Sequence, residues 1–170
     1  MNITIELRRM EQRHISEVQS LLAEAGIRKP EGYFENCLFE NEQHKRYTLL
    51  GYVNGQFAGA LHIRYESHYP PFSEQRIPEI NDLNVLPKYR KQGVATRLIE
   101  ESERIVAEQY DTIGIGFGLF KDYGNAQRLY GKLGYIPDGN GIYYNNQPVV
   151  PGSMVRVDDD LVLYLTKKLR

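Results

Sequence analysis

The most informative stretch of the 170-residue chain runs from Leu83 to Thr96 and reads LNVLPKYRKQGVAT. A strand pattern ends here, a basic loop follows, and Gly93 opens a long helix pattern whose first turn carries small residues. The first amide groups of a helix have no intrahelical partner, and the helix dipole makes that end positive. Because Gly93 and Ala95 remove side-chain bulk, a phosphate can approach the backbone closely. The stretch therefore predicts a site for a phosphorylated ligand.

Two common phosphate-binding motifs do not fit this sequence. A Walker loop needs Gly-Lys-Ser/Thr before its helix, and the chain has no such ending. Gly114, Gly116 and Gly118 have the spacing Gly-x-Gly-x-Gly and lie inside a strand pattern instead of opening a helix. They therefore fail the dinucleotide-binding fingerprint in both spacing and context.

The hydrophobic pattern of the whole chain predicts a mixed α/β fold. Apolar residues recur at helical spacing or alternate as in strands. The predicted helices cover residues 14–25, 30–41, 93–108 and 125–133, and the predicted strands cover 1–9, 47–53, 56–65, 77–85, 112–119, 141–145 and 161–167. Asn54-Gly55 predicts a hairpin, Pro70-Pro71 a loop, and Asn125 a helix N-cap. The order predicts one sheet with helices packed on it.

Composition limits the class of protein. The chain has 21 basic and 22 acidic residues, a formal net charge of −1, which excludes a polybasic binder of nucleic acid or of anionic lipid. Its length suits a single domain, 1–170, and no apolar run approaches the roughly 18 residues of a membrane helix. The start shows no secretory signal, and Cys37 is the one cysteine, so we expect a cytoplasmic protein without a disulfide.

Two motifs in this sequence resemble a known family. Arg90-Lys91-Gln92-Gly93-Val94-Ala95 resembles the Arg/Gln-x-x-Gly-x-Gly/Ala acetyl-CoA motif of the GNAT superfamily of N-acyltransferases, with Ala95 at the last position. Asn125-Ala126-Gln127-Arg128-Leu129-Tyr130, followed by Gly134-Tyr135, resembles the second signature of that family. The resemblance covers nearly the full chain. It implies a twisted, mixed, mostly antiparallel sheet with flanking helices and a splayed parallel pair, strands 77–85 and 112–119.

The resemblance also implies acetyl-CoA as co-substrate and assigns residues to it. The pyrophosphate is expected on the amides at the helix start, the pantetheine arm along the strand before it, and Asn125 beside that arm. The expected acetyl-CoA residues are Leu83, Val85, Lys88, Arg90, Lys91, Gln92, Gly93, Val94, Ala95, Thr96 and Asn125. Tyr130 is expected to be the general acid that protonates the leaving CoA thiolate.

The reaction needs an oxyanion donor and a way to deprotonate the amine. The Val85 N–H is the expected oxyanion donor. Strand 77–85 offers two carboxylates, Glu79 and Asp82, on opposite faces if alternation is regular, and a β-bulge would change that parity. We predict Glu79 as the general base, with Asp82 as the alternative base or as an anchor for the substrate ammonium.

Each of these residues also has a purely structural explanation. Tyr130 lies on the apolar stripe of its helix, so the residues alone favour a core aromatic, and the acid role comes from the family resemblance. Asn125 is explained structurally as an N-cap. The run 158–160 (Asp-Asp-Asp) is best explained as a solvated turn, with an acidic rim for a cationic amine as the alternative. The four histidines show no metal-ligand spacing, so no metal is expected.

The predicted function is transfer of an acetyl group from acetyl-CoA to a primary amine, by direct attack in a ternary complex. The alternative from another class is an acyl-CoA-binding sensor or regulatory domain without turnover, and a weaker one is a transferase for longer acyl chains. The partner is a small-molecule or protein amine, with no nucleic acid and no membrane. Domains of the family that the sequence resembles are often homodimers, and the residues themselves do not fix the oligomeric state. Aminoglycosides, polyamines, amino acids, small amines and protein N-termini all remain open as acceptors.

Overall fold

The computed structural model describes residues 2–170, so the predicted strand over 1–9 is described from its second residue. The helices within them are α1 (Ile15–Glu24), α2 (Tyr33–Glu42), α3 (Pro70–Gln75), α4 (Val94–Val106) and α5 (Gly124–Lys132). The strands are β1 (Ile5–Arg9), β2 (Arg46–Val53), β3 (Gln56–Arg64), β4 (Glu79–Val85), β5 (Thr112–Gly118), β6 (Ile136–Tyr144), β7 (Gln147–Pro148) and β8 (Leu161–Lys168). In this part of the chain, no helix combines the length and apolar character needed to cross a membrane.

The chain divides into two compact units, and the first comprises residues 2–65 and Ile80–Ile105. Its strands follow the order β1-β2-β3-β4. β2 pairs antiparallel with β1 and with β3, which places Leu50 opposite Arg8 and opposite Ala60. The expected hairpin at Asn54-Gly55 is confirmed, because it connects β2 to β3. β4 continues beside β3, where Leu86 N donates to Ala58 O at 2.8 Å.

Helices α1, α2 and α4 supply apolar side chains to the core of the first unit. Their buried residues recur at helical spacing, as the sequence pattern predicts. They are Ile15, Val18 and Leu22 in α1, Phe34 and Cys37 in α2, and Val94, Leu98 and Ile99 in α4. Cys37 is only 1% exposed, and burial raises the pKa of its thiol. Ser102, also buried in α4, satisfies its hydroxyl by donating to Leu98 O at 2.8 Å.

The second unit comprises residues 66–79 and 106–170. Its strands follow the order β5-β8-β6-β7, and each neighbouring pair is antiparallel. A buried aromatic cluster forms part of its core: Tyr69, Phe72 and Tyr164 with Ile77. The Tyr69 and Tyr164 rings are stacked at 3.6 Å between centroids. The pairings within both units confirm the expected mixed α/β class with mostly antiparallel strands.

The structure adds the short strand β7, which the sequence pattern does not predict, and differs from the predicted elements at three further places besides shifts of element ends. Pro70-Pro71 begins the short helix α3 instead of a loop, because proline suits the first helical positions, which need no hydrogen-bonded amide. Asn125 is not an N-cap, because α5 begins at Gly124 and its N-cap is Tyr123. β6 begins at Ile136 instead of residue 141, with an irregular register between Pro137 and Ile142.

Candidate active site

Tyr89 anchors the loop between β4 and α4 to the rest of the fold. Residues Pro87–Tyr89 form a 3-10 turn, and the Tyr89 ring is buried. Its hydroxyl donates to Gln56 Oε1 at 2.7 Å, which ties the turn to the start of β3. The anchored turn holds the following residues, 90–93, at the start of α4.

The backbone at the start of α4 is shaped to present amide groups. Lys91 and Gly93 both adopt left-handed conformations, with φ of 59° and 87°. Arg97 N donates to Gly93 O at 3.0 Å, so the amides of Val94, Ala95 and Thr96 precede the first intrahelical hydrogen bond. A Cβ on Gly93 would have open space, with Ile5 Cδ1 the nearest atom at 3.9 Å. Open amides at the positive end of a 13-residue helix have the chemistry that suits an anion.

The basic and polar side chains of this loop partly brace its own backbone. Arg90 Nε donates to Val85 O at 3.2 Å, and Gln92 Nε2 donates to Lys88 O at 2.9 Å. The Lys88 ammonium lies 4.8 Å from the centroid of the Tyr89 ring. Lys88, Arg90 and Lys91 are all exposed, so their charges add to the positive potential of the helix start.

Asp82 lies at a break in β4 and is fully engaged by neighbours. Its φ of 52° interrupts the regular alternation that the sequence pattern assumes for this strand. Asp82 Oδ1 accepts from Lys29 Nζ at 2.7 Å and from Asn84 Nδ2 at 2.9 Å, and Oδ2 accepts from the Tyr33 hydroxyl at 2.7 Å. Lys29 lies in the connection between α1 and α2, and Tyr33 opens α2.

These contacts keep the Asp82 carboxylate ionised. Burial alone would raise the pKa of Asp82, but the hydrogen bond and charge of Lys29, together with the Tyr33 hydroxyl, hold it below the usual value. A carboxylate with a lowered pKa is a weak proton acceptor near neutral pH. The geometry therefore favours Asp82 as a binder of cations over Asp82 as a base.

Behind Asp82 lies a neutral, buried histidine. His62 Nε2 is 3.4 Å from the Tyr33 hydroxyl, and His62 Nδ1 is 2.8 Å from Thr48 Oγ1. Thr48 donates to Asn41 Oδ1 at 3.3 Å, so its oxygen is left to accept a hydrogen bond from the N–H at His62 Nδ1. Burial, and then the Arg46 charge, lower the pKa of His62. The neutral ring therefore adds no charge beside Tyr33 and Asp82.

Glu79, in the second unit, has different partners from Asp82. Its carboxylate is buried and accepts from Ser67 Oγ at 2.5 Å. Ser67 Oγ in turn accepts from Tyr69 N at 3.0 Å, and the Tyr69 hydroxyl donates to Asp138 Oδ2 at 2.6 Å. Glu79 is thus a carboxylate held in position by a hydroxyl from the segment before α3.

Tyr130 lies in α5 with its ring buried against aromatic neighbours. The ring centroid is 6.3 Å from those of both Phe117 and Tyr135. Burial raises the pKa of Tyr130 to about 12, so the phenol stays protonated at neutral pH. Asn125, one turn earlier in α5, is exposed.

The acidic run after residue 157 has structural partners. Asp159 accepts from the Tyr123 hydroxyl at 2.7 Å, and Asp158 accepts from the Tyr144 hydroxyl at 3.0 Å and from Asp160 N at 3.0 Å. These contacts favour the interpretation of the run as a turn leading into β8.

Sequence reasoning missed three residues around the two carboxylates: Lys29 and His62 beside Asp82, and Ser67 beside Glu79. Each lies in a different element from the carboxylate that it supports. No spacing along the chain relates them to Glu79 or Asp82, so the sequence carries no signal for them.

Comparisons with known proteins agree with this geometry. The family model described as the acetyltransferase (GNAT) family matches residues 12–135. A search of curated proteins finds no match.

Solved structures share the fold at low sequence identity. One is the Salmonella typhimurium acetyltransferase that modifies the N-terminal serine of ribosomal protein L7/L12, with a TM-score of 0.73, 11% identity, and coverage of 98% of this chain and 99% of that chain. The Escherichia coli ribosomal-protein-S18-alanine N-acetyltransferase has a TM-score of 0.68, 14% identity, and coverage of 98% and 94%. Arabidopsis thaliana Naa50, in complex with the bisubstrate analogue CoA-Ac-MVNAL, has a TM-score of 0.64, 16% identity, and coverage of 96% and 98%.

The matched segment contains both quoted motifs, and it spans more than half of the chain. Members of this family transfer acetyl groups from acetyl-CoA. The chain is therefore an acyltransferase that belongs to the acetyltransferase (GNAT) family.

Proposed function

We propose that the protein transfers an acetyl group from acetyl-CoA to a primary amine, by direct attack within a ternary complex. The observation that carries the proposal is the set of open amides at Val94, Ala95 and Thr96 beside left-handed Lys91 and Gly93. This is the backbone chemistry that binds a pyrophosphate.

The donor half of the site is assigned as follows. The amides of residues 91–96 hold the pyrophosphate, with Lys88 adding charge near the phosphates. The backbone of Leu83 and Val85 pairs with the pantetheine arm, and exposed Asn125 contributes a further polar contact. The buried side chain of Val94 packs in the core, so its contribution to binding is its amide alone.

The reaction requires proton transfer at two atoms, the nitrogen of the acceptor and the sulfur of CoA. Glu79 takes a proton from the acceptor ammonium, and the neutral amine attacks the thioester carbonyl to form a tetrahedral oxyanion. The Val85 N–H stabilises that oxyanion. The C–S bond then breaks, and Tyr130 gives its proton to the CoA thiolate. The nitrogen, which still carries one proton too many for an amide, loses that proton to the Tyr130 phenolate, while Glu79 releases its proton to solvent. The products are the acetylated amine and free CoA.

The proposal also covers the type of acceptor, the cellular compartment and the oligomeric state. The structurally similar enzymes named above act on protein N-termini or ribosomal proteins, which supports an amine acceptor. We place the enzyme in the cytoplasm, since its single cysteine excludes an internal disulfide and acetyl-CoA is its donor. We also propose a homodimer from the family resemblance, and sedimentation equilibrium tests it.

The decisive experiment measures CoA thiol release from acetyl-CoA with a panel of amines. The panel contains monoamines, diamines, amino acids, aminoglycosides and short peptides with free N-termini. Amine-dependent release, with the acetylated product identified by mass spectrometry, supports the proposal. Binding of acetyl-CoA without release for any amine would instead favour an acyl-CoA sensor. Competition between acetyl-CoA and longer acyl-CoA esters tests the chain length.

A further inference from the structure

The protein already holds a primary ammonium at Asp82. Lys29 Nζ lies 2.7 Å from Asp82 Oδ1 and 5.4 Å from the centroid of the Tyr33 ring. A carboxylate oxygen next to an aromatic face is a combination that binds alkylammonium groups in general. The Lys29 side chain therefore shows which kind of group this position accepts.

The Asp82 carboxylate keeps its other hydrogen bonds if the Lys29 ammonium moves away. Asp82 Oδ2 keeps the Tyr33 hydroxyl at 2.7 Å, and Oδ1 keeps Asn84 Nδ2 at 2.9 Å. The side chains of Lys29 and Asp82 are 16% and 24% exposed, so the pair is partly accessible to solvent. Lys29 itself lies outside regular secondary structure, on a long flexible stem.

An ammonium bound here stays charged, because the Asp82 carboxylate is a weak base in this setting. The nucleophile in acetyl transfer must be a neutral amine. The ammonium bound at Asp82 is therefore not the one that reacts, and an acceptor that uses this position carries a second amino group.

We propose that the acceptor is an aliphatic diamine or polyamine, one ammonium of which replaces Lys29 at Asp82 while another amino group is acetylated. The inference rests on the proposed function and names its substrate class. Asp82 precedes Val85, the proposed oxyanion donor, by three residues, which separates them by at most about 10 Å at about 3.3 Å per extended residue, and by less because the left-handed φ of Asp82 interrupts the strand. The polymethylene chain of a diamine or polyamine spans distances within that limit.

The test compares kcat/KM for matched pairs of amines that differ by one terminal amino group, such as butylamine and 1,4-diaminobutane. We expect the diamine to exceed the monoamine by about 10- to 100-fold, the effect of one charge-assisted hydrogen bond. Asp82→Asn should bring this ratio close to one. Lys29→Met should lower KM for the diamine, because it removes the internal competitor. Lys132→Met, which removes an exposed lysine of α5, is the control and should leave the ratio unchanged.

Failure of the inference is distinct from failure of the proposed function. Equal kcat/KM for monoamines and diamines, or higher kcat/KM for N-terminal peptides than for diamines, overturns the diamine assignment while leaving acetyl transfer intact. Lys29→Met that lowers the Tm and raises KM for all amines alike would make the Lys29–Asp82 pair a structural tether and would also overturn it. Absence of thiol release with every amine would overturn the proposed function itself.

Discussion

The ring of Phe72 occupies the space that a side chain at Gly114 would need. A Cβ built on Gly114 would overlap three atoms of that ring, and one on Gly118 would overlap the ring of Tyr123 in the same way. The alternating glycines of β5 therefore make room for aromatic rings of the second unit. Their spacing reflects packing and has no role in binding a dinucleotide.

Gly114→Ala should destabilise the protein by about 1–3 kcal/mol, because Phe72 must move in a well-packed cluster. The free energy of unfolding in urea measures the effect. Gly131→Ala in α5 is the matched control, since a Cβ there meets no atom within 4 Å. That control should stabilise the protein by about 0.5–1 kcal/mol, from better helix propensity. Equal effects at both positions would contradict the packing explanation.

Gly93→Val should weaken CoA binding by about 10- to 100-fold, through displacement of the amides that precede α4. Isothermal titration with CoA measures it. Gly139→Val is the control, because Gly139 has nearly the same left-handed φ, 88° against 87°, and open space around it. Both variants should lose stability, about 1–2 kcal/mol for a left-handed non-glycine residue. Wild-type CoA affinity in Gly93→Val would show that the pyrophosphate binds elsewhere.

Tyr130→Phe should lower kcat by about 100-fold or more, the usual contribution of a general acid, with a smaller effect on acetyl-CoA affinity. The ring is buried and is retained in phenylalanine, so stability should change little. Steady-state kinetics with the best acceptor from the amine panel provides the measurement. An unchanged kcat would remove Tyr130 from the mechanism and leave it as a core aromatic.

The sequence pattern is sufficient to predict a helix or strand where that element buries one face. The apolar stripe of α4 and the Asn54-Gly55 hairpin are both predicted correctly, because local spacing alone determines them. The pattern fails at α3, because six residues are too few to show an apolar repeat at helical spacing and because two consecutive prolines are typical of a loop. It fails at Asn125, because the 3-10 turn Lys121–Tyr123 runs directly into α5 and moves the cap back by two residues.

In the candidate site, too, the local features could be predicted from the sequence and the long-range contacts could not. The phosphate-binding loop is contiguous in sequence, so its residues are found by inspection of one stretch. The surroundings of Asp82 are assembled from three distant segments. In addition, the left-handed φ of Asp82 breaks the alternation of side chains along β4, and that alternation is the basis for predicting which face of the sheet a side chain lies on. Long-range pairings such as Lys29 with Asp82, separated by 53 positions, have no local signature.

The stability of the protein should depend on pH through His62. Burial and the Arg46 charge lower the pKa of His62, so the folded protein leaves the ring neutral while the unfolded chain protonates it below about pH 6.5. The unfolded state then binds more protons, and the free energy of unfolding should fall as pH drops below about 6.5, by up to about 1.4 kcal/mol per pH unit. Urea unfolding between pH 5 and pH 8 at fixed ionic strength measures this slope.

His62→Gln should make that slope shallower, because glutamine does not titrate. His44→Asn, which removes an exposed histidine in a left-handed conformation that asparagine tolerates, serves as the control and should keep the wild-type slope. A slope in His62→Gln equal to that of the wild type would assign the pH dependence to another group.

Burial of Cys37 has a practical consequence for measuring this enzyme. A thiol that is 1% exposed and has a raised pKa offers almost no thiolate to disulfide reagents. A colorimetric thiol reagent added to the folded enzyme should therefore report released CoA with little background from the protein. For the same reason, CoA disulfide formed by air oxidation of the product should not exchange with the Cys37 thiol to give a mixed disulfide.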